Sequence, residues 1–512
     1  MTEPALPHES HTDADDGFGR RVRDAVAWRW GSQIVAQIIA WTSTIMVVRL
    51  LTPADYGLFA MSHVVITALA FMSGIGFASS LIQTRHVDRR RIGQVFGLLL
   101  LFNGTLATIQ FLGAPLMAAY FQEPLIADML RIQALIFLTV PFTALPNELL
   151  AKRLEFSIQG KINMAAAIIA AVAALALAWL GYGVWALVYA PIAGFVTRAI
   201  GLTIAARSLV MPVFDFRGAG DLVRFGGALT LCQLFWIIQS QSDIFIAGRV
   251  FDTHNLGLYA EALFLTLIVT GRFLPPINEV AFPAYAELHR AGKPIGPYFL
   301  KTLRTVLLVT APIYFGLALT AEPAVLTLFG EKWADMAPIV AGLALAMPAM
   351  ALQIICSPTT NAMGMPGVYV RTNGFGALVF PAAFLASISL GPFGLVHAWW
   401  VAAPSLLLWT LSLTLPHVGL TWSKLVQELA PIMLANGLMA GVVFQVSQVL
   451  PDWPSVIELG VLAATGAITY ALVIKLAWPH LIAETWAMLR QKPEPDHLSS
   501  ATAPINSNTS TI

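Results

Sequence analysis

Runs of about 20 mostly apolar residues, each long enough to cross a ~30 Å hydrocarbon layer as a helix, recur along almost the whole chain. Short polar or basic breaks separate them. They predict fourteen helices, at 24–49, 58–84, 92–119, 125–149, 160–180, 184–206, 222–249, 256–283, 298–320, 336–357, 367–389, 393–416, 425–450 and 455–477. The breaks are weakest in the 120s, at 320–340 and in the Pro-rich 350s, where twelve or thirteen helices fit as well. The predicted fold is an all-α polytopic membrane protein.

Composition agrees. Hydrophobic residues make up 57% and charged residues 11% of the 512, and the mean hydropathy is +0.73. That leaves too little polar surface to solvate a globule of this size. Cys232 and Cys356 both fall in apolar stretches and form no disulfide framework or metal-ligand pattern. Residues 1–19 carry Glu3, Glu9, Asp13, Asp15 and Asp16 with no apolar run, the reverse of a signal peptide. They read as a disordered acidic tail in which His8 and His11 lack further metal ligands.

The placement of positive charge sets an orientation. With the N-terminus inside, 24 of the 29 Lys and Arg residues fall in cytoplasmic segments, including the cluster Arg85, Arg89, Arg90 and Arg91. Arg49, Arg131, Arg249, Arg272 and Lys332 are the exceptions. Both termini are therefore expected in the cytoplasm.

Residues 49–60 (RLLTPADYGLFA) and 249–260 (RVFDTHNLGLYA) echo each other 200 positions apart. Upstream, Gln33 aligns with Gln233 at the same offset. Helices 1 and 7 both start inside, so the repeat is parallel and relates two six-helix lobes about an axis along the membrane normal. The expected organisation is an acidic tail (1–19), a first lobe (20–206), an interfacial linker (207–221), a second lobe (222–416), an appended helix pair (417–480) and a second disordered cytoplasmic tail (481–512).

An Arg-rich opening into helix 1, the motif at 49–60, Ser79-Ser80-Leu-Ile-Gln83 before a basic loop, the stretch 242–249 (SDIFIAGR), Leu256-Gly-Leu-Tyr259 and Phe282-Pro283 together resemble the polysaccharide transporter family. These are Wzx-type oligosaccharide flippases of the multidrug/oligosaccharidyl-lipid/polysaccharide superfamily. The resemblance spans roughly residues 20–420. It implies a bacterial inner-membrane protein that moves a polyprenyl-diphosphate-linked oligosaccharide to the periplasmic leaflet by alternating access, embedded among membrane lipids. A polysaccharide polymerase and export machinery are the implied protein partners, with no nucleic acid.

Such cargo has an anionic, hydrated headgroup that the apolar core excludes, so a carrier needs a wet cavity with cations and hydrogen-bonding groups. Arg272 lies about 22 Å below the outer end of helix 8 and suits bidentate diphosphate contact, or else snorkels inward or braces another helix. Pro275 and Pro276 just beyond it are expected to break or kink helix 8. Asp243 and Glu261 lie at similar depth and suit coupling to a proton or sodium gradient. Alternatively, Asp243 pairs with Arg249 or another outer-lobe cation to hold the outward gate closed. Arg49 and Arg249 either receive the diphosphate at the outer mouth or cap the carbonyl ends of helices 1 and 7, while Arg29 suits initial capture or inside anchoring.

Gln33, Gln37, Asn103, Gln133, Gln233, Gln239 and Gln241 suit sugar hydroxyls or interhelical packing bonds. Trp41, Trp236, Trp399 and Trp400 offer stacking faces. No cofactor or resident metal is expected. The absence of a Walker A loop, an H-E-x-x-H motif or a nucleophile constellation disfavours an ATP-driven pump or a hydrolase. A multidrug extruder of the same superfamily would expect a less cationic cavity. An O-antigen or capsule polymerase or ligase would expect a large periplasmic loop.

Overall fold

The computed structural model describes residues 37, 39–73, 89–153, 155–208, 210–215 and 220–479, with the backbone alone for 220–233. Arg29, Gln33, the side chain of Gln233 and both tails lie outside the described residues. In hydrocarbon every amide and carbonyl must be satisfied within the chain, and an apolar run meets that demand only as a helix or a closed barrel. Here all the long elements are helices and no strand occurs among the described residues.

The first lobe contains α1 (Ile39–Leu50), α2 (Pro53–Phe71), α3 (Arg89–Phe121), α4 (Leu125–Lys152), α5 (Phe156–Trp179) and α6 (Trp185–Ala206). The second contains α7 (Gly220–Val250), α8 (Thr253–Arg290), α9 (Gly296–Leu319), a short helix (Ala321–Leu328), α10 (Ala337–Ala362), α11 (Pro366–Ser387) and α12 (Pro392–Val418). The chain ends in α13 (Trp422–Val449) and α14 (Ser455–Ala477). Twelve described helices are long and apolar enough to cross a membrane, and α1 and α7 stand at the remaining two predicted positions. α13 packs on α9, and α14 packs on α13 and the short helix.

The two echo copies fold alike. In each, a sharp turn follows an arginine and a capped helix begins. Thr52 caps α2: its hydroxyl accepts from the Asp55 amide at 3.3 Å while Asp55 Oδ2 accepts from the Thr52 amide at 2.9 Å. At the equivalent place Asp252 caps α8, accepting from the Asn255 amide at 2.7 Å and the Asn255 side chain at 2.9 Å. The acid has moved from the third helical position to the cap, and the orphan amides are still satisfied.

The apolar core distinguishes the two ends of the bundle. Near the echo, one buried cluster runs through both lobes, joining Val47, Tyr56, Met61 and Phe121 to Tyr259, Trp333 and Trp399. Toward the opposite, basic end the cores separate. Phe96, Leu99 and Leu145 pack within the first lobe, whereas Tyr285, Phe299 and Ile355 pack within the second. Among the described residues the lobes are thus fused at the echo end and share no core at the basic end.

The linker docks on the basic end of α3. The Val213 amide donates to the Gly93 carbonyl at 2.9 Å, and Arg90 pairs with Asp215 at 2.8 Å. Gly97 admits the linker because any Cβ there would meet the Val213 carbonyl oxygen at 2.6 Å. Met211 and Phe214 project outward, 85% and 59% exposed, as a segment lying at the membrane interface would.

The expected break at Pro275 and Pro276 does not occur. α8 runs unbroken from Thr253 to Arg290 through both prolines and Pro283. Each proline deletes one amide donor, but packing of α8 along α2 and α10 holds the helix together. The carbonyls four residues back, at Gly271 and Arg272, are left without their helical donors.

Candidate functional site

Between α1 and α8 lies a cavity of about 560 Å³. Its wall on the α5 side is a row of alanines, and its polar groups are Ser43 and Thr44 of α1, Tyr56 and His63 of α2, Ser240, Gln241 and Asp243 of α7 and Glu261 of α8. Both lobes contribute, and no Lys or Arg side chain lines it among the described residues. The two carboxylates that share a depth in the sequence thus share a cavity in the structure.

Asp243 is 1% exposed and held firmly. Tyr259 of α8 donates its hydroxyl hydrogen to Asp243 Oδ2 at 2.9 Å, and Trp399 Nε1 of α12 donates to the Tyr259 oxygen at 2.8 Å. This chain ties α7, α8 and α12 together within the second lobe. Pairing of Asp243 with Arg249 is not found, because Arg249 is engaged elsewhere. His63 is exposed to the cavity, its Nδ1 3.2 Å from the Thr67 hydroxyl.

The arginines of the echo cross between lobes. Arg49 donates from Nε to the Leu328 carbonyl at 3.0 Å and from a guanidinium nitrogen to the Thr327 carbonyl, at the C-terminal end of the short helix in the second lobe. Arg249 donates to the Tyr120 carbonyl at 3.2 Å and lies 5.0 Å from the centroid of that tyrosine ring, at the end of α3 in the first lobe. They cap carbonyl ends, but those of the opposite lobe rather than of their own helices. Neither lines the cavity.

Arg272 is exposed. Eleven residues beyond Glu261, it sits only about 20° around α8 and about 16 Å further toward the basic end. It therefore lies on the helix face that lines the cavity, beside the carbonyls that Pro275 and Pro276 leave free.

Several polar candidates serve packing instead. Asn103 donates to the Ser73 and Leu99 carbonyls at 3.0 and 2.9 Å, and Gln133 donates to the Ser62 hydroxyl at 3.3 Å. Trp400 donates to the Gly342 carbonyl at 2.7 Å, and Trp399 is only 6% exposed, so neither offers a free stacking face. Trp236 rests against Phe71, ring centroids 4.7 Å apart, whereas Trp41 is 42% exposed.

The roles of four participants were not legible in the sequence. His63 sits alone on an apolar helix. Trp333, fully buried, donates from Nε1 to the Val48 carbonyl at 3.1 Å and packs edge-on to Tyr56 at 5.4 Å, joining the lobes. Gly57 and Gly257 were visible in the echo, yet their role depends on what stands opposite.

Residues 46–338 match the model of a family described as polysaccharide biosynthesis protein. The chain is 28% identical over 342 residues to the succinoglycan biosynthesis transport protein ExoT of Rhizobium meliloti (strain 1021), covering 67% of this chain and 67% of that protein. It is 24% identical over 433 residues to the teichuronic acid biosynthesis protein TuaB of Bacillus subtilis (strain 168), covering 79% and 85%. Among solved structures, the lipid II flippase MurJ in an inward closed conformation superposes with a TM-score of 0.73 at 13% identity, covering 89% of this chain and 99% of that one. A multidrug resistance transporter of the MATE family, facing inward, superposes with a TM-score of 0.60 at 14% identity, covering 77% and 96%. These two likenesses establish the fold.

Proposed function

The chain belongs to the polysaccharide biosynthesis protein family, and from that membership we propose that it flips polyprenyl-diphosphate-linked oligosaccharide repeat units across a bacterial inner membrane by alternating access. The observation that carries the mechanism is the pair of lobes fused at one end and parted at the other around a polar cavity. The positive-inside bias makes the echo end periplasmic and the basic end cytoplasmic, with both termini in the cytoplasm. The names of the relatives, one a succinoglycan transport protein and one a teichuronic acid biosynthesis protein, point to the same class of cargo. A polysaccharide polymerase and export machinery would receive the product.

The cavity divides the work. Asp243 and Glu261 offer a diphosphate no positive charge and suit a coupling cation, a proton or sodium ion. Arg272, nearer the cytoplasm on the same helix face, suits the diphosphate. Arg29, Gln33 and Gln233 keep their proposed roles in capture and sugar contact. A second reading follows from the absence of Lys and Arg around this cavity among the described residues, which is what an extruder of cationic drugs would present.

One experiment separates the two. Deleting the gene is expected to trap a lipid-linked repeat unit on the cytoplasmic face and abolish the surface polymer, without changing susceptibility to cationic dyes. Normal polymer with dye sensitivity would favour the extruder.

A further inference from the structure

A second cavity, of about 590 Å³, lies at the other seam between the lobes, where α2 faces α7. The parallel repeat relates the seams: α1 and α8 flank the first, and their counterparts α7 and α2 flank the second. Likewise α5 walls the first and Pro381 of α11, its counterpart, reaches the second. The architecture is repeated but the chemistry is not. Among the described residues no ionisable side chain lines the second cavity, and its wall is mostly apolar.

The cavity also opens sideways. Ile109 and Leu116 of α3 and Ile238 of α7 line it and are 54%, 69% and 38% exposed on helices that cross the membrane. Only Gln110, Gln241 and Ser242 interrupt its apolar lining, so water finds few partners there, and at this depth the surrounding medium is hydrocarbon. Gln241 of α7 lines both cavities, so the apolar space adjoins the polar one.

We propose that the α2/α7 seam seats the isoprenoid chain of the lipid-linked cargo while its headgroup occupies the polar side. This rests on the flippase reading above. A carrier whose two seams were alike would have to draw the chain or the headgroup through the wrong solvent. With one polar and one apolar seam, each part of an amphipathic cargo meets a wall of its own kind.

Two glycines of α3 make the test clean. A Cβ on Gly113, which lines the cavity, or on Gly104, which does not, meets nothing within 4 Å. With no clash at either Cβ, Gly113→Leu and Gly104→Leu are both expected to fold, with equal gains in helix propensity, but Gly113→Leu narrows the seam. The full-length protein is reconstituted in phosphatidylethanolamine/phosphatidylglycerol vesicles with a long-chain polyprenyl diphosphate bearing a diazirine on its isoprenoid chain. After illumination the adducts are mapped by peptide sequencing.

The expected adducts fall on residues 109–117 and 237–246, are displaced by unlabelled polyprenyl diphosphate, persist in Gly104→Leu and are lost in Gly113→Leu. Displaceable adducts confined to other helices would overturn the seam assignment and leave the flippase reading standing. Adducts at the seam that phosphatidylglycerol displaces and polyprenyl diphosphate does not would assign it to bulk lipid and also overturn it. No displaceable adduct anywhere would sink the flippase reading, and the inference with it.

Discussion

Gly57 and Gly257, equivalent positions in the two echo copies, hold the lobes together backbone against backbone. A Cβ on Gly57 would collide with the Thr253 carbonyl oxygen, and one on Gly257 with the Pro53 carbonyl oxygen. Thr253 and Pro53 are themselves equivalent, the first residues of α8 and α2, so the contact is reciprocal about the repeat axis. Around this crossing stand the reciprocal arginines, Arg49 on the Leu328 carbonyl and Arg249 on the Tyr120 carbonyl. The duplicated motif therefore closes the echo end of the bundle, and its arginines bridge the two lobes there; we infer that this crossing is the echo-end gate.

Gly57→Ala and Gly257→Ala are expected to open the gate. Overpacking of this kind costs about 1–3 kcal/mol, and only the closed state bears it, so the equilibrium moves roughly 5- to 150-fold toward the open state. In a background lacking Cys232 and Cys356, His63→Cys reports the change through labelling by an impermeant maleimide from the echo side. Labelling should be slow in the parent and fast in either glycine variant. Gly104→Ala, with open space around its Cβ, is the control. Equal labelling in all four proteins would remove the gate from this crossing.

Arg272→Ala should abolish export of surface polysaccharide while the protein still inserts at normal abundance, and Arg272→Lys should restore only part of it. A lysine keeps the charge but loses the planar fork that binds a diphosphate bidentately. Unchanged polymer in Arg272→Ala would remove the diphosphate from this residue.

Much of the fold was legible because the bilayer narrows the choices. An apolar run of sufficient length has to become a helix, and α5, α6, α12 and α14 follow their runs closely. The echo was legible because duplication preserves position. What the sequence hid lies across interfaces. Arg49 and Arg249 look like caps for their own helices, and only the assembled lobes place the carbonyls of Leu328 and Tyr120 nearer. Pro275 and Pro276 do not break α8; the local rule for proline omits the neighbours that pack along the helix. The shared face of Glu261 and Arg272 was available from their spacing alone.

Tyr259→Phe should destabilise the second lobe. The hydroxyl is at once the donor to Asp243 and the acceptor from Trp399, and all three side chains are buried. Its loss orphans two polar groups at about 1–3 kcal/mol each, which thermal unfolding of the purified protein will show as a drop of several degrees. Asp243→Asn in that background should recover part of the loss by removing the unpaired charge. Transport separates bracing from coupling: Asp243→Asn should abolish dependence on the ion gradient if Asp243 is a coupling group. Retained dependence would leave it as a brace alone.

Asp252 gives the echo end a pH dependence. The Asn255 amide, donating to its carboxylate at 2.7 Å, holds the group below the ordinary carboxylate range, and the Asn255 side chain and His254 act in the same direction. With the folded pKa below the unfolded one, the cap contributes fully above the ordinary aspartate pKa of about 3.9. Its contribution is lost as pH falls through the depressed folded value. Asp252→Ala should cost about 1 kcal/mol at neutral pH. Asp252→Asn keeps an acceptor for the Asn255 amide but cannot titrate, so its melting temperature should fall less than that of the parent between neutral pH and pH values below about 4. Because Asp55 of the other copy is present in both proteins, the difference between the two pH profiles isolates residue 252. Parallel profiles would show that the depressed carboxylate contributes nothing to the stability of the gate.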